Sequence, residues 1–213
     1  MNFNEFIKSV SKIRNLDLPG QIAQFQMSPP FREELLKKME SRIPNAKKAA
    51  VMVLFYPDKN EQTHLVLILR KTYKGVHSAQ IGFPGGKVEQ EDGSLLQTAI
   101  RESQEEIGVN QEDIIVLKSL TNVYIPPSNF IVHPFIGTLH YTPKFSRQDE
   151  EVEDIVEVTL EDFLNDKNVI TNEVQTSYNV EVKVPAFKFN GHIVWGATAM
   201  MLNEVKVLLK RVI

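Results

Sequence analysis

Glu102, Glu105 and Glu106 are spaced i, i+3, i+4 in a stretch, roughly Ser94 to Ile107, whose pattern predicts a helix. At about 100° per residue, Leu96, Ile100, Ser103 and Ile107 fall on one narrow face. The three glutamates fall on the opposite face, within an arc of about 100°. Like charges at this spacing destabilise an isolated helix, and a hard divalent cation relieves the repulsion. Mg²⁺ and Mn²⁺ take carboxylate, carbonyl and water oxygens. Ions held this way can bridge phosphate oxygens, lower the pKa of a bound water and neutralise a leaving phosphate. Gly85 and Gly86 precede the helix, and glycine permits close backbone approach. A carbonyl at Gly86 could add a metal ligand, and the loop amides could meet a phosphate. The plain alternative is a solvated helix face.

The elements that must position these groups are legible in outline. Phe3, Phe6, Ile7, Val10 and Ile13 recur at helical spacing until Asp17-Leu18-Pro19-Gly20 interrupts them. Pro29-Pro30 starts a second helix, FREELLKKME, which Pro44 closes. Residues 1–45 are therefore expected to be a helical arm packed on a main body, 46–213. Ala49 to Tyr56 is a near-continuous apolar run, as in a strand buried on both faces, and His64 to Arg70 reads as its partner across a Pro57–Asn60 turn. A short strand is expected at Ile81 to Phe83, and two more near Ile114 to Tyr124 and Phe130 to Tyr141. The acidic stretch Asp149 to Asp154 leads into a strand (IVEV) and a short helix (LEDFLN). Val180, Val182 and Val184 alternate with charged residues, Asn190-Gly191 signals a hairpin, and a helix is expected from about Ala197 to Arg211. Mixed strands with few helices suggest an α/β fold, a sheet covered on both faces.

Bulk properties narrow the chemistry. The formal net charge is -3, which implies no broad positive field, so nucleic acid and anionic membrane are poor partners. The chain has no cysteine, which excludes disulfides, thiolate metal sites and cysteine nucleophiles. MNFNEFIKSV lacks the basic and apolar segments of a secretory signal, and no apolar run reaches the roughly 18 residues of a membrane span. The expectation is a cytoplasmic protein.

The run Arg101-Glu102-Ser103-Gln104-Glu105-Glu106-Ile107-Gly108-Val109 resembles the end of the Nudix box, G-x5-E-x7-R-E-U-x-E-E-x-G-U with U apolar. Ser103 stands at an apolar position. Upstream, five residues separate Gly86 from Asp92, which stands in place of Glu, and eight residues rather than seven separate Asp92 from Arg101. That insertion is typical of the coenzyme A pyrophosphatase subgroup. Arg70, His77, Gln80, Phe83, Pro84, Gly85 and Gly86 also match the signature that precedes the box in that subgroup, whereas Gly75 and Ala79 depart from it. The stretches Tyr124 to Gly137 and WGATAMML look similar to the same family.

The resemblance implies a Nudix-type α/β/α sandwich around a mixed sheet, and hydrolysis of a pyrophosphate bond in a small nucleotide substrate with Mg²⁺ or Mn²⁺. Glu102 and Glu106 would be the principal metal ligands, with Glu105 joining them and Arg101 orienting the carboxylates. Glu105, or a carboxylate between Asp149 and Asp154, would accept the proton of the attacking water. Coenzyme A is the substrate suggested, with Arg70, Lys71 and Lys74 near its phosphates. Gln80 would contact substrate, and His77 would either do so or order its loop. ADP-ribose or a dinucleotide is the nearer alternative, and a Nudix fold that binds without catalysis the more distant one. Many members of the family are dimers, so a homodimer is compatible.

Overall fold

A computed structural model of the chain describes residues 1–71, 80–175 and 181–213. Lys74, Gly75, His77, Ala79 and Val180 lie outside the described residues. The N-terminal segment forms α1 (Phe3–Val10), α2 (Gly20–Phe25) and α3 (Arg32–Lys38), with 3-10 turns at Ser11–Asn15 and Glu40–Asn45. Strands β1 (Lys47–Pro57), β2 (Thr63–Arg70), β3 (Ile81–Gly82) and β4 (Gly85–Lys87) lead to α4 (Leu95–Ile107). Then come β5 (Ile115–Ser119), β6 (Val123–Ile125), β7 (Phe130–Thr138) and β8 (Val152–Thr159). The chain ends with α5 (Leu160–Leu164), β9 (Val169–Gln175), β10 (Glu181–Phe189), β11 (His192–Val194) and α6 (Gly196–Leu209).

Alternation along β1 explains the architecture. Ala50, Met52, Leu54 and Tyr56 pack with Ala99 and Ile107 of α4 on one face. Val53 and Phe55 pack on the other with Phe3 and Phe6 of α1 and with Met200, Leu202 and Val205 of α6. Both faces of this strand are covered, which is why its sequence is apolar throughout. The expected α/β/α sandwich is borne out, with β1 and β7 parallel at its centre and the other pairings antiparallel. β9, β10 and β11 form a separate antiparallel sheet, which the sequence pattern did not distinguish. Its β10–β11 hairpin turns at Asn190 and Gly191, both at positive φ, as Asn-Gly predicts.

One fork in the large sheet positions the site. β1 and β2 pair only from Leu54/Val66 to Pro57/Thr63. Beyond that they splay, and the 81–87 segment fills the fork: β3 pairs with β2, and β4 with β1. The Pro84-Gly85-Gly86 turn is thereby held by backbone on both sides, and Pro84 accepts a hydrogen bond from Met52 N–H at 2.9 Å.

The N-terminal helices contribute to the main core. Phe6, Val10 and Ile13 have no exposed surface. The helix α2, which the sequence reading passed over as an interruption, is tied to α6 through Glu204. This fully buried carboxylate accepts from Gln24 Nε2 at 2.8 Å, Thr121 Oγ1 at 2.6 Å and Gly20 N–H at 3.3 Å. Its lone pairs are satisfied by protein donors, as a buried charge requires. No helix among the described residues is long and apolar enough to cross a membrane.

Candidate active site

The helix α4 begins where Ser94 accepts a hydrogen bond from Gln97 N–H and ends at Gly108, whose φ of 74° is the left-handed cap that glycine favours. Between these caps the three glutamates take different environments. Glu106 turns inward with 1% of its surface exposed. Its carboxylate accepts from Gly85 N–H at 2.7 Å and pairs with Arg70 at 3.3 Å. Burial pushes its pKa up to about 8; Gly85 and Arg70 oppose the rise, while Glu102 and Glu151 add repulsion. Glu102 is partly buried against Gly86, and burial raises its carboxyl too, with Arg101 opposing. Glu105 is 47% exposed and pairs with Arg101 at 2.8 Å. The helix therefore does not gather the three as one stack: Glu102 and Glu106 face the glycine turn, and Glu105 faces outward.

Both glycines make close contacts. A Cβ at Gly85 would overlap the Ala50 carbonyl, and the residue sits at a φ of 150°. A Cβ at Gly86 would fall on the Glu102 carboxylate. Gly85 is thus pressed against the β1 backbone, where only glycine fits, whereas a side chain at Gly86 would have to push the Glu102 carboxylate aside.

Arg101 is the hub of the second group. Its guanidinium meets Asp92 at 2.9 Å, Glu102 at 3.1 Å and Glu105 at 2.8 Å, and donates to the Lys87 carbonyl at 3.2 Å. Asp92 also accepts from Thr98 Oγ1 at 2.8 Å and from Glu89 N–H at 2.9 Å. Hydrogen bonding to Arg101 holds the Asp92 carboxyl well below the usual carboxylate range. The residue that departs from the box thus anchors its arginine, a role that the sequence reading did not assign to it.

Of the acidic stretch 149–154, one side chain joins the cluster. Glu151 lies 3.8 Å from Arg70 and repels both Glu102 and Glu106. Asp149 pairs with Arg147 at 3.0 Å, and Asp154 accepts from Ile155 N–H at 2.9 Å. The local cause is a bulge. The β2–β8 register shifts between Leu69 and Arg70, so Arg70 stands opposite Val152 and Lys71 N–H donates to the Glu151 carbonyl at 2.9 Å. Sequence periodicity carries no signal of such a shift.

Arg70 and Gln80 line one cavity with Phe83, Gly85 and Gly86. Arg70 N–H donates to the Gln80 carbonyl at 3.0 Å. The cavity is about 670 Å³ and its walls are mainly apolar. Glu102 and Glu106 stand behind its two glycines rather than in its wall. Among the described residues, no three histidine, aspartate or glutamate side chains are gathered as ligands of one metal ion. Arg70 and Arg101 interleave the carboxylates instead.

A buried carboxyl raised from 4.5 to about 8 binds its proton more readily in the folded than in the unfolded chain across that window. Without divalent cation, Glu106 therefore lowers stability as pH rises through it. The thermal midpoint in chelator is expected to fall from about pH 5 to about pH 8, and Glu106→Gln to flatten the fall. A flat wild-type profile by calorimetry contradicts this account of Glu106.

Comparison with known proteins follows the same lines. A NUDIX domain model matches residues 46–177. The peroxisomal coenzyme A diphosphatase ndx-8 of Caenorhabditis elegans is 30% identical over 174 residues, 81% of this chain and 73% of that protein. The uncharacterized Nudix hydrolase NudL of Enterobacter sp. (strain 638) is 27% identical over 195 residues, 90% of this chain and 94% of that protein. The crystal structure of a MutT/nudix family protein from Enterococcus faecalis shares the fold, with a TM-score of 0.53 at 19% identity over 84% of this chain and 71% of that one. The matched stretch contains the glycine turn and the glutamate helix, and on these grounds the chain belongs to the Nudix hydrolase family, whose enzymes are pyrophosphohydrolases.

Proposed function

We propose that the chain hydrolyses the diphosphate of coenzyme A or an acyl-coenzyme A, yielding 4'-phosphopantetheine or its acyl form and adenosine 3',5'-bisphosphate. One observation carries this reading: the apolar cavity runs from the glycine turn to Trp195 and the N-terminal helix α3. Its size lies within the usual range of about 300–1,000 Å³ for ligand sites. Coenzyme A joins a diphosphate to a long, largely uncharged arm, and such a cavity suits a ligand of that kind. Arg70, Gln80, Phe83, Gly85 and Gly86, which resemble the coenzyme A signature, line it together. The similarity to a coenzyme A diphosphatase points the same way.

The cofactor in this reading is Mg²⁺ or Mn²⁺. The donors fit such an ion. All are hard oxygens, and five carboxylates (Asp92, Glu102, Glu105, Glu106 and Glu151) surround two guanidinium groups. Burial holds the Glu106 pKa at about 8 even with Arg70 beside it, and a further positive charge would bring it down. Glu102 and Glu106 would hold the ion with the Gly86 carbonyl, and Glu105, which faces outward on Arg101, would join only by leaving that pair. When bound, it supplies Lewis-acid stabilisation of the diphosphate and a more acidic water. Arg101, fixed by Asp92, orients Glu102. Arg70 steers the diphosphate from the cavity wall. Glu151 accepts the proton of the attacking water: its pair with Arg70 is long, 3.8 Å against 2.8 Å between Arg101 and Glu105, and it stands near enough to repel Glu102 and Glu106.

Turnover of coenzyme A, acetyl-coenzyme A, ADP-ribose and NADH with Mg²⁺ or Mn²⁺ tests the substrate. The coenzyme A pair is expected to react at least about tenfold faster, with (acyl-)4'-phosphopantetheine released. A preference for ADP-ribose or NADH contradicts the assignment and leaves the family unchanged. Asp92→Asn should lower kcat by about 10- to 100-fold with little change in KM, because it loosens the arginine behind the donors rather than the substrate wall. An unchanged kcat removes Asp92 from the site.

A further inference from the structure

Arg32, the first residue of α3, points into the substrate cavity with no acidic partner among the described residues. One guanidinium nitrogen donates to the Tyr124 carbonyl at 2.7 Å. Its Nε is buried and has no hydrogen-bond partner among the described residues. Burial pushes its pKa down to about 10, so the group stays cationic at neutral pH in a position that disfavours charge. An unpaired guanidinium on an apolar wall is costly unless an anion meets it.

The sheet register places this cation away from the glycine turn. From β4 the order runs through β1 and β7 to β6, where Tyr124 sits. These are three strand spacings, about 14 Å. Arg70, on β2, lines the same cavity from the opposite side of β1. The cavity thus carries two guanidinium groups from opposite sides of β1 and a mainly apolar lining. Beside Arg32, Phe31 is 67% exposed, lines the same wall and is held at a φ of 65°. That left-handed conformation is strained for an aromatic residue, and the turn that imposes it presents both side chains to the cavity.

We propose that Arg32 binds a phosphate monoester of the substrate, separate from the diphosphate that is cut, so that the N-terminal helices form one wall of the substrate site. The inference deepens the coenzyme A reading and rests on it, since that ligand carries a ribose phosphate besides its diphosphate. Arg32 is a binding residue here and takes no part in bond cleavage. Phe31 offers an apolar face to the nucleoside that bears the phosphate.

The test reads binding rather than turnover. Trp195 is the only tryptophan of the chain and lines the cavity, so its fluorescence reports ligands there. The probes are adenosine 3',5'-bisphosphate and adenosine 5'-monophosphate, which differ by one phosphate monoester. The wild type is expected to bind the bisphosphate about tenfold more tightly, as one charge-assisted contact allows. Arg32→Gln should bring the ratio close to one while the monophosphate affinity stays within about twofold. Arg32→Lys should keep part of the preference. No preference in the wild type, including failure to bind either probe, overturns the proposal, as does a preference that survives Arg32→Gln. Loss of monophosphate binding in both variants marks a structural role and overturns it too. The substrate panel judges the coenzyme A reading separately, because a preference for ADP-ribose there would leave these binding ratios to stand or fall by themselves.

Discussion

The site depends on the burial of the Glu106 carboxylate against the Gly85 amide. A carboxylate removed from water needs donors or counter-charge, and at 1% exposure Glu106 finds one backbone N–H and Arg70, which offset burial only in part and leave its pKa at about 8. The Gly85 amide can serve only because the turn lies against β1 at a φ that a side chain would not tolerate. The turn stays there because the fork between β1 and β2 clamps both of its ends. A requirement of charge thus becomes a requirement on the sheet, and the apolar sequence of β1 follows from the sheet's two covered faces.

Around that carboxylate the charges are shared between two guanidinium groups with different duties. Arg101 is fixed from behind by Asp92 and holds Glu102 and Glu105. Arg70 stands between Glu106 and Glu151 and also lines the cavity, so it joins the acidic cluster to the space where a substrate would lie. The arrangement keeps Glu102 and Glu106 close to the glycine turn. On the proposed reading this is a donor set awaiting a divalent ion, and the apolar cavity beyond it sets which diphosphate enters.

Much of this was legible in the sequence because it rests on local rules. The helix of the glutamates, its Gly108 cap, the continuous apolar strand and the Asn-Gly hairpin each follow from residues within a few positions of one another. What escaped depends on distant pairing. Asp92 looked like a departure from a pattern until the fold set it 2.9 Å from Arg101. Five acidic residues in 149–154 were equivalent as a list, and only the register shift beside Arg70 brought Glu151 to the cluster. The periodicity that puts Glu102, Glu105 and Glu106 on one arc is correct as geometry. It could not say that the glycine turn would bury one and leave another in solvent. The N-terminal helices gave no chemical signal because their contribution is positional: Arg32 means little until it is placed in a cavity wall.

The most direct measurement is a calorimetric titration of the protein with Mn²⁺ in the absence of substrate, comparing the wild type with Glu106→Gln. The account predicts saturable binding by the wild type and a loss of affinity of at least about tenfold in the variant, with circular dichroism unchanged. Equal affinity in the two proteins, or no binding by a folded wild type, would contradict the claim that the buried carboxylate is the centre of the metal site.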